Sequence, residues 1–249
     1  MKMPPPILSV IMPARNAAAF IAEAIRSIAV DLEVETELVV IDDGSTDATA
    51  EIVRGLAFKN LTIKIFLGNQ KGIANARNLG LASTDARSEF IIFLDSDDVF
   101  PRGKIVRQLA FLNNNPQHLA IFGKVLYFDN LDFETLQPKP DARTVIIRGI
   151  QMGSGLVRRQ LFHTVGQFDE DFEQGEDGDL YFRAHELGCP IHYEDEVGIY
   201  YRRHANNLTN DRPAVRSGFM KCIQKSLQRR HKDKNLLSLD GARLLKDET

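Results

Sequence analysis

Three carboxylates follow an apolar segment in the first half of the sequence. The segment Phe90 to Leu94 reads FIIFL and runs directly into Asp95, Ser96, Asp97 and Asp98. Its composition predicts a strand buried on both faces. Three acids at the end of such a strand repel one another unless a cation or hydrogen-bond donors neutralise them. Oxygen ligands favour Mg²⁺ or Mn²⁺, which often share their coordination sphere with substrate phosphates. The alternative is a turn in which these residues cap backbone amides.

A second acidic run, FDEDFEQGEDGD, covers residues 168–179 and precedes a predicted helix from Leu180 to Leu187. Glu176 and Asp177 can be explained as acids that the helix dipole favours. A carboxylate that faces a cleft at the start of a helix is also a good general base. The residue types alone leave both interpretations open.

Two further features of the second half could take part in chemistry. His204 follows a predicted strand from Ile191 to Tyr201, and it is either a hydrogen-bonded surface residue or a neutral metal ligand. Gly153, Ser154 and Gly155 form a turn of small residues, where the backbone can approach a ligand closely.

The elements that must position these groups alternate along the chain. Apolar runs predict strands at 7–12, 38–41, 61–67 and 90–94, and helical spacing predicts helices at 17–30, at 47–56 and from Gly72 onward. This order predicts an α/β fold with a doubly wound, mostly parallel sheet flanked by helices. Ligands bind beyond the carboxyl ends of such strands. Polar residues gather at those ends: Pro13 to Asn16, Asp42, Asp43 and the residues from Asp95 to Asp98.

The usual phosphate-binding loops are missing from the sequence. No G-x-G-x-x-G follows the first predicted strand, and there is no G-x-x-x-x-G-K-[ST]. Phosphate binding would therefore rely on a metal at Asp95 and Asp97 and on cations such as Lys71 or Arg77. Arg77 is either one of these cations or a solvated surface residue.

Composition narrows the class of protein. The chain has 249 residues, of which 43% are hydrophobic and 26% charged, as in an ordinary globular protein. Its net charge of -3 gives no reason to expect a nucleic acid partner. No apolar run is long enough for a membrane span, and the N-terminus lacks the pattern of a signal peptide, so we expect a cytoplasmic protein. Cys189 and Cys222 are expected to be thiols.

A soft boundary is predicted near Phe128. Residues 1–128 would form a half of the nucleotide-binding type, residues 129–210 would supply the pocket for the other substrate, and residues 211–249 would form a basic helix and tail. Asp129 to Arg143 predicts an irregular hairpin or loop. In the helix predicted from Val215 to Arg230, one face carries the apolar residues Val215, Phe219, Ile223 and Leu227. By default it packs on the domain; alternatively it rests on an anionic membrane surface.

Taken together, six segments resemble the family 2 glycosyltransferases of the GT-A fold. They occur in the order and spacing of that family, and the resemblance covers residues 7 to about 210. The segments are SVIMPARNAAAFIAEAIRSI, ELVVIDDGSTDAT, KGIANARNLGLA, FIIFLDSDD, GQFDEDFEQGEDGDLYFRAHELG and YYRRHANNLT.

The resemblance implies a donor site at the start of the chain. The residues that match nucleoside-binding positions are Pro13, Ala14, Arg15, Asn16 and Asp43, with Asp43 expected at the base. Lys71 and Arg77 are expected on the diphosphate side. The family often has an aromatic residue where Arg15 stands, so stacking on a uracil ring is not implied here.

The resemblance also assigns catalytic and metal-binding roles. Asp95, Ser96 and Asp97 match the D-x-D motif, in which Asp95 contacts ribose or metal and Asp97 binds Mn²⁺ or Mg²⁺. Asp177 of the Glu176-Asp177 pair matches the general base, and His204 matches a position that contacts metal or diphosphate. Gly153 and Ser154 match a loop beside the sugar and the acceptor.

The implied function is an inverting, metal-dependent transfer of a sugar from a UDP-linked donor to a hydroxyl group. The acceptor would be a glycan, a lipid-linked sugar or a small molecule. The chain has no Trp and therefore no Q-x-x-R-W motif, which argues against a processive polysaccharide synthase. One alternative is a catalytically silent GT-A domain that binds a nucleotide sugar or glycan. The other is a sugar nucleotidyltransferase, which usually begins with a Gly-rich loop that this sequence lacks.

Overall fold

The computed structural model describes residues 8–30 and 32–239, and its first half alternates strands with helices. The elements are β1 (Leu8–Ala14), α1 (Ile21–Ala29), β2 (Thr36–Asp42), α2 (Thr49–Gly55), β3 (Leu61–Leu67), α3 (Ile73–Ser83) and β4 (Phe90–Phe93). Each predicted strand and helix of this half is present. The helices begin a few residues later than predicted because the loops after β1 and β2 bind each other before α1 and α2 start.

Up to residue 239, the second half adds four helices and six strands, several of them short. The elements are α4 (Lys104–Asn114), β5 (Ala120–Phe128), β6 (Leu131–Asp132), β7 (Gln137–Pro138), β8 (Val145–Ile147), β9 (Gly155–Arg158), α5 (Gln160–Val165), α6 (Glu176–Glu186), β10 (Ile191–Arg202) and α7 (Arg212–Lys232). Short 3₁₀ turns lie at Met152–Ser154 and Leu208–Asn210. The segment after Phe128 contains the β6–β7 hairpin.

One sheet joins both halves of the chain. Its strands lie in the order β10-β5-β9-β4-β1-β2-β3, and β8 pairs with β5. The pairs β1 with β2, β1 with β4, β2 with β3 and β5 with β10 are parallel, whereas β9 runs antiparallel to β4 and β5. The prediction of a mostly parallel, mixed α/β sheet flanked by helices is confirmed. Strand β9 was not predicted.

Alternation along the strands divides the core between the two faces of the sheet. Val10 and Ile92 pack on one face with residues of α1 and α4. Ile11 and Phe93 pack on the other with residues of α3, α5 and α6. This arrangement leaves the carboxyl ends of the parallel strands at one edge, where the predicted site residues follow.

Helix α7 is longer than predicted, and it packs on the domain through a different face. Its buried residues are Gly218, Cys222 and Ser226, which lie against α6 and the turn before it. The predicted apolar face, by contrast, is largely exposed at Val215, Phe219 and Leu227. Small residues make the contact because they allow the two backbones to approach. Among residues 8–30 and 32–239, no helix combines the length and apolarity needed to span a bilayer.

Replacement of Gly80 by Ala tests the close packing of α3 on β1. A Cβ atom at Gly80 would meet Cγ2 of the buried Ile11, whereas a Cβ at Gly55 of α2 meets no atom within 4 Å. Ala favours a helix over Gly by up to about 1 kcal/mol. We expect Gly80→Ala to lower the free energy of unfolding in urea by about 1–2 kcal/mol through overpacking. Gly55→Ala is the matched control and should preserve or raise it; equal stabilisation of both variants would contradict the packing.

Candidate active site

Two predicted metal ligands, 107 residues apart in sequence, lie side by side. Asp97 follows β4 and His204 follows β10, and Oδ2 of Asp97 lies 2.8 Å from Nε2 of His204. Burial, and then the negative charge of Asp95, raise the pKa of Asp97. A carboxylate and an imidazole in an acidic, half-buried position fit a divalent cation.

The end of β10 is tied directly to the acidic loop. Arg202 donates from its backbone N–H to Asp98 Oδ1 at 2.9 Å and from Nε to the Asp97 carbonyl at 2.8 Å. The ring of His204 stacks on Phe20 with centroids 4.7 Å apart. Asp98 also accepts a hydrogen bond from Gln151. These contacts hold His204 against Asp97, and they make Asp98 a structural acid that joins β10 to β4.

Asp95 faces away from His204 and toward a buried arginine. The guanidinium of Arg77 is 2% exposed and contacts three carboxylates: Asp95 at 3.0 Å, Glu176 at 2.7 Å and Asp177. The same group lies 5.5 Å from the Phe168 ring centroid and 5.8 Å from that of Phe93. The alternative of a solvated Arg77 is therefore wrong, and its structural partners are carboxylates.

Within the described residues, no group of three His, Cys, Asp or Glu side chains converges as a metal site. Asp97 and His204 would thus offer two ligands. A Mg²⁺ or Mn²⁺ ion keeps several positions for water and substrate phosphates, so two protein ligands suit an ion that binds together with a diphosphate.

Glu176 and Asp177 lie in the first turn of α6, and Arg77 brings both of them to the site. Burial, partly offset by Arg77, raises the pKa of Asp177 and raises the pKa of Glu176 to about 7. Asp177 also accepts the backbone N–H of Met152 at 2.9 Å through Oδ2. One of its oxygens is therefore oriented by Arg77 and the other by the turn that leads to Gly153 and Ser154.

Buried side chains of α4 donate hydrogen bonds to the end of the turn at Met152–Ser154. Gln108 donates to the carbonyl of Ser154 at 3.1 Å, and Lys104 to that of Gly155 at 3.4 Å. Gly153 and Ser154 are themselves buried. A Cβ atom at Gly153 would meet Cδ1 of Ile199 at 2.5 Å, so the backbone there fits tightly under the site.

The predicted nucleoside-binding residues line the same edge beyond β1 and β2. Pro13 and Ala14 are buried in β1, whereas Arg15 and Asn16 are exposed just after it. Asn16 has φ of 50° and accepts the Thr46 N–H at 2.8 Å, which joins the two loops.

Asp43 organises the loop that leads into α3. Its carboxylate accepts the backbone N–H groups of Gln70 at 2.6 Å and Gly72 at 3.3 Å. Lys71 lies between these two residues and is exposed, and Ser96 is buried after β4. The structure thus places every predicted site residue at the carboxyl edge of the sheet.

Sequence reasoning missed three polar residues that fasten α3 to the segment before α6. Asn75 and Asn78 both donate to the carboxylate of Glu170 at 3.0 Å. Asn78 also exchanges two hydrogen bonds with the backbone of Phe168. The signal that could have identified the two asparagines is the run NARN, which lies in a helix with few large apolar residues. Such a helix must bury polar side chains when it packs on the sheet.

The architecture and the motifs agree with known proteins. The model of the family described as Glycosyl transferase family 2 matches residues 9–175. The chain belongs to this family.

Among its relatives, an uncharacterized glycosyltransferase of Haemophilus influenzae is 39% identical over 117 residues. The match covers 47% of this chain and 45% of the relative, so this chain accounts for less than half of the relative's length.

Two solved structures share the fold of this family 2 chain. S. aureus TarS 1-349 in complex with UDP-GlcNAc has a TM-score of 0.63 and 20% identity, covering 82% of this chain and 60% of TarS 1-349. The mannosyltransferase PcManGT of Pyrobaculum calidifontis, in complex with GDP-Man and Mn²⁺, has a TM-score of 0.65 and 19% identity, covering 91% of this chain and 65% of PcManGT. These likenesses confirm the predicted GT-A fold.

Replacement of Arg77 by Met tests whether the three carboxylates depend on its charge. Removing one partner from a buried ionic cluster typically costs about 3–5 kcal/mol, because the remaining charges lose their compensation. We expect a loss of that size in the free energy of unfolding at neutral pH, measured with urea. The matched control is Arg87→Met, which removes an exposed arginine paired with Asp85 and should change stability little. Similar stabilities for both variants would show that the cluster does not need Arg77.

Proposed function

We propose that this protein is an inverting glycosyltransferase that moves a sugar from a nucleoside diphosphate to a hydroxyl group. The observation that supports the proposal most directly is the cluster at Arg77. It holds Asp177, a carboxylate suited to proton transfer, at the same edge of the sheet as the Asp97–His204 pair. Family membership and the donors in the TarS and PcManGT complexes support the donor class.

Asp177 is the proposed general base. As the acceptor oxygen attacks the anomeric carbon, its proton passes to a carboxylate oxygen of Asp177, while the bond from that carbon to the diphosphate oxygen breaks. The side chain is 15% exposed, so its carboxylate can be reached from solvent. A single displacement inverts the anomeric centre, and no second carboxylate is needed as a nucleophile.

Arg77 and the Met152 N–H prepare Asp177 for this role. Burial favours the protonated acid and raises its pKa, whereas the guanidinium favours the carboxylate. Burial therefore makes the carboxylate a stronger base, and Arg77 holds it in position to accept a proton. Because Arg77 is almost fully buried among carboxylates, we propose that it acts by orienting Asp177 and Asp95, with Asp95 directed to the ribose.

Asp97 and His204 would hold Mn²⁺ or Mg²⁺, and a bound cation would neutralise the charge that develops on the leaving diphosphate. The exposed Lys71 would add charge on the diphosphate side. The loops at Pro13 to Asn16 and at Asp43 would hold the nucleoside, and we propose a UDP-linked sugar. Gly153 and Ser154 would lie beside the transferred sugar and the acceptor, which we propose is a hydroxyl of a glycan, a lipid-linked sugar or a small molecule.

Asp177→Asn tests the base. The variant keeps the size of the side chain and one acceptor oxygen, but its NH2 group replaces the second oxygen and it cannot accept the proton, so transfer should fall at least about 10²-fold. Donor affinity, measured by calorimetry with UDP-sugars and GDP-Man in the presence of Mn²⁺, should stay within a few-fold. Glu173→Gln, an exposed acid of the same run, is the control and should transfer at the wild-type rate. Undiminished transfer by Asp177→Asn would remove it from the mechanism.

His204→Ala tests the metal site without any turnover. Loss of one of two protein ligands should weaken Mn²⁺ binding in the presence of UDP at least about tenfold, measured by electron paramagnetic resonance of free Mn²⁺. His231→Ala changes an exposed histidine of α7 and should leave the Mn²⁺ affinity unchanged. Equal affinity in the His204 variant would exclude this residue as a ligand.

A further inference from the structure

Helix α7 packs against the turn before α6 through a narrow face formed by Gly218, Cys222 and Ser226, which we call the inner face. A Cβ atom at Gly218 would meet the carbonyl oxygen of Gln174, and Cys222 Sγ donates to the carbonyl of Gly175 at 3.1 Å. Gly175 immediately precedes Glu176 and Asp177. The inner face therefore lies next to the turn that carries the proposed base.

The cations on the inner side of α7 are compensated by the acidic run. Lys225 pairs with Asp169 and Asp171, and Arg229 pairs with Asp179 at 2.8 Å and with Glu186 at 2.7 Å. These four acids are half of the eight Asp and Glu residues in 169–186. These contacts account for the residues on the side of α7 that faces the domain. They do not account for the residues on the side that faces solvent.

The outer side of α7 presents an apolar ridge to solvent. Phe219, Ile223 and Leu227 follow one another at intervals of four residues and so share one side of the helix. Phe219 is 41% exposed, Leu227 55% and the neighbouring Met220 56%, while Ile223 is half-buried. Leu208, in the turn before the helix, is 63% exposed. We call this outer side, from Arg212 to Leu227, the outer face.

Positive charge surrounds the ridge. Arg216 and Arg212 are exposed one and two turns before Met220, and His231 and Lys232 are exposed at the end of the helix. From Arg212 to Lys232 the helix contains neither Asp nor Glu; of its seven Lys or Arg residues, Lys225 and Arg229 pair with the acidic run, whereas Arg212 and Arg216 are exposed. The outer face therefore carries positive charge, although the whole chain has a net charge of -3.

We propose that the outer face of α7 docks on an anionic lipid bilayer. Apolar side chains flanked by arginines match the boundary between acyl chains and anionic headgroups. A second copy of this chain is disfavoured as the occupant because a symmetric contact would set arginines against arginines. The proposal rests on the proposed function in one respect: docking would hold Asp177 near the bilayer, which suits a lipid-linked acceptor. The lipid contact itself requires no transfer activity.

Vesicle flotation tests the proposal with the full chain and no donor or acceptor. We expect binding to vesicles of equal phosphatidylcholine and phosphatidylglycerol, little binding to phosphatidylcholine alone, and loss of binding at about 0.5 M salt, where the charges are screened. Each arginine contributes about fivefold to partitioning, so the double variant Arg212→Gln, Arg216→Gln should bind about 25-fold less.

A second variant examines the apolar contribution. Phe219→Ser with Leu227→Ser should also lose most vesicle binding, and circular dichroism and thermal unfolding should match the wild type because both side chains are exposed. Phe133→Ser is the control, since it removes another exposed aromatic ring, on the β6–β7 hairpin. That variant should bind vesicles like the wild type.

Three outcomes would overturn the proposal. The first is no flotation of the wild type with anionic vesicles, and the second is an equal loss for Phe133→Ser. The third is a wild-type dimer in light scattering that becomes a monomer in the variant Phe219→Ser with Leu227→Ser. This result would assign the outer face to a contact with a second copy of the chain. A failure of the proposed function is seen separately, as an absence of sugar transfer by a protein that still binds vesicles.

Discussion

A buried arginine surrounded by three carboxylates is the contact on which the candidate site depends. Arg77 comes from α3, Asp95 from the loop after β4, and Glu176 and Asp177 from the first turn of α6. Burying one guanidinium with three acids is costly unless every group keeps a partner. The cluster therefore fixes the relative positions of three elements, and the proposed base cannot move independently of the proposed donor site.

The surrounding structure stabilises that cluster from both sides. Asn75 and Asn78 fasten α3 to the segment before α6, and Lys225 and Arg229 of α7 bind the acids that Arg77 does not reach. The acidic run of residues 168–179 is therefore divided among several cations and amides. Only part of its charge serves the site, and the rest is structural.

The alternation of strands and helices in the first half and the edge of the sheet that carries the site followed from the sequence, because continuous apolar runs and polar residues at strand ends are local signals. Strand β9 was not predicted, because GLVR is short and contains an arginine. The buried Arg158 donates hydrogen bonds to a carboxylate and two carbonyl groups from elsewhere in the chain. The packing face of α7 also escaped prediction: its apolar residues are the obvious stripe, yet Gly218, Cys222 and Ser226 make the contact. The partners of Arg77 lie up to 100 residues away, and no local pattern indicates them.

A crystal structure of the complex with a UDP-sugar and Mn²⁺ would test the central claim most directly. The account predicts that the guanidinium of Arg77 remains hydrogen-bonded to Asp95 and Asp177 while Asp97 and His204 contact the metal. Asp177 should face the acceptor side of the anomeric carbon. A structure in which Arg77 leaves Asp177 to bind the diphosphate would contradict the account.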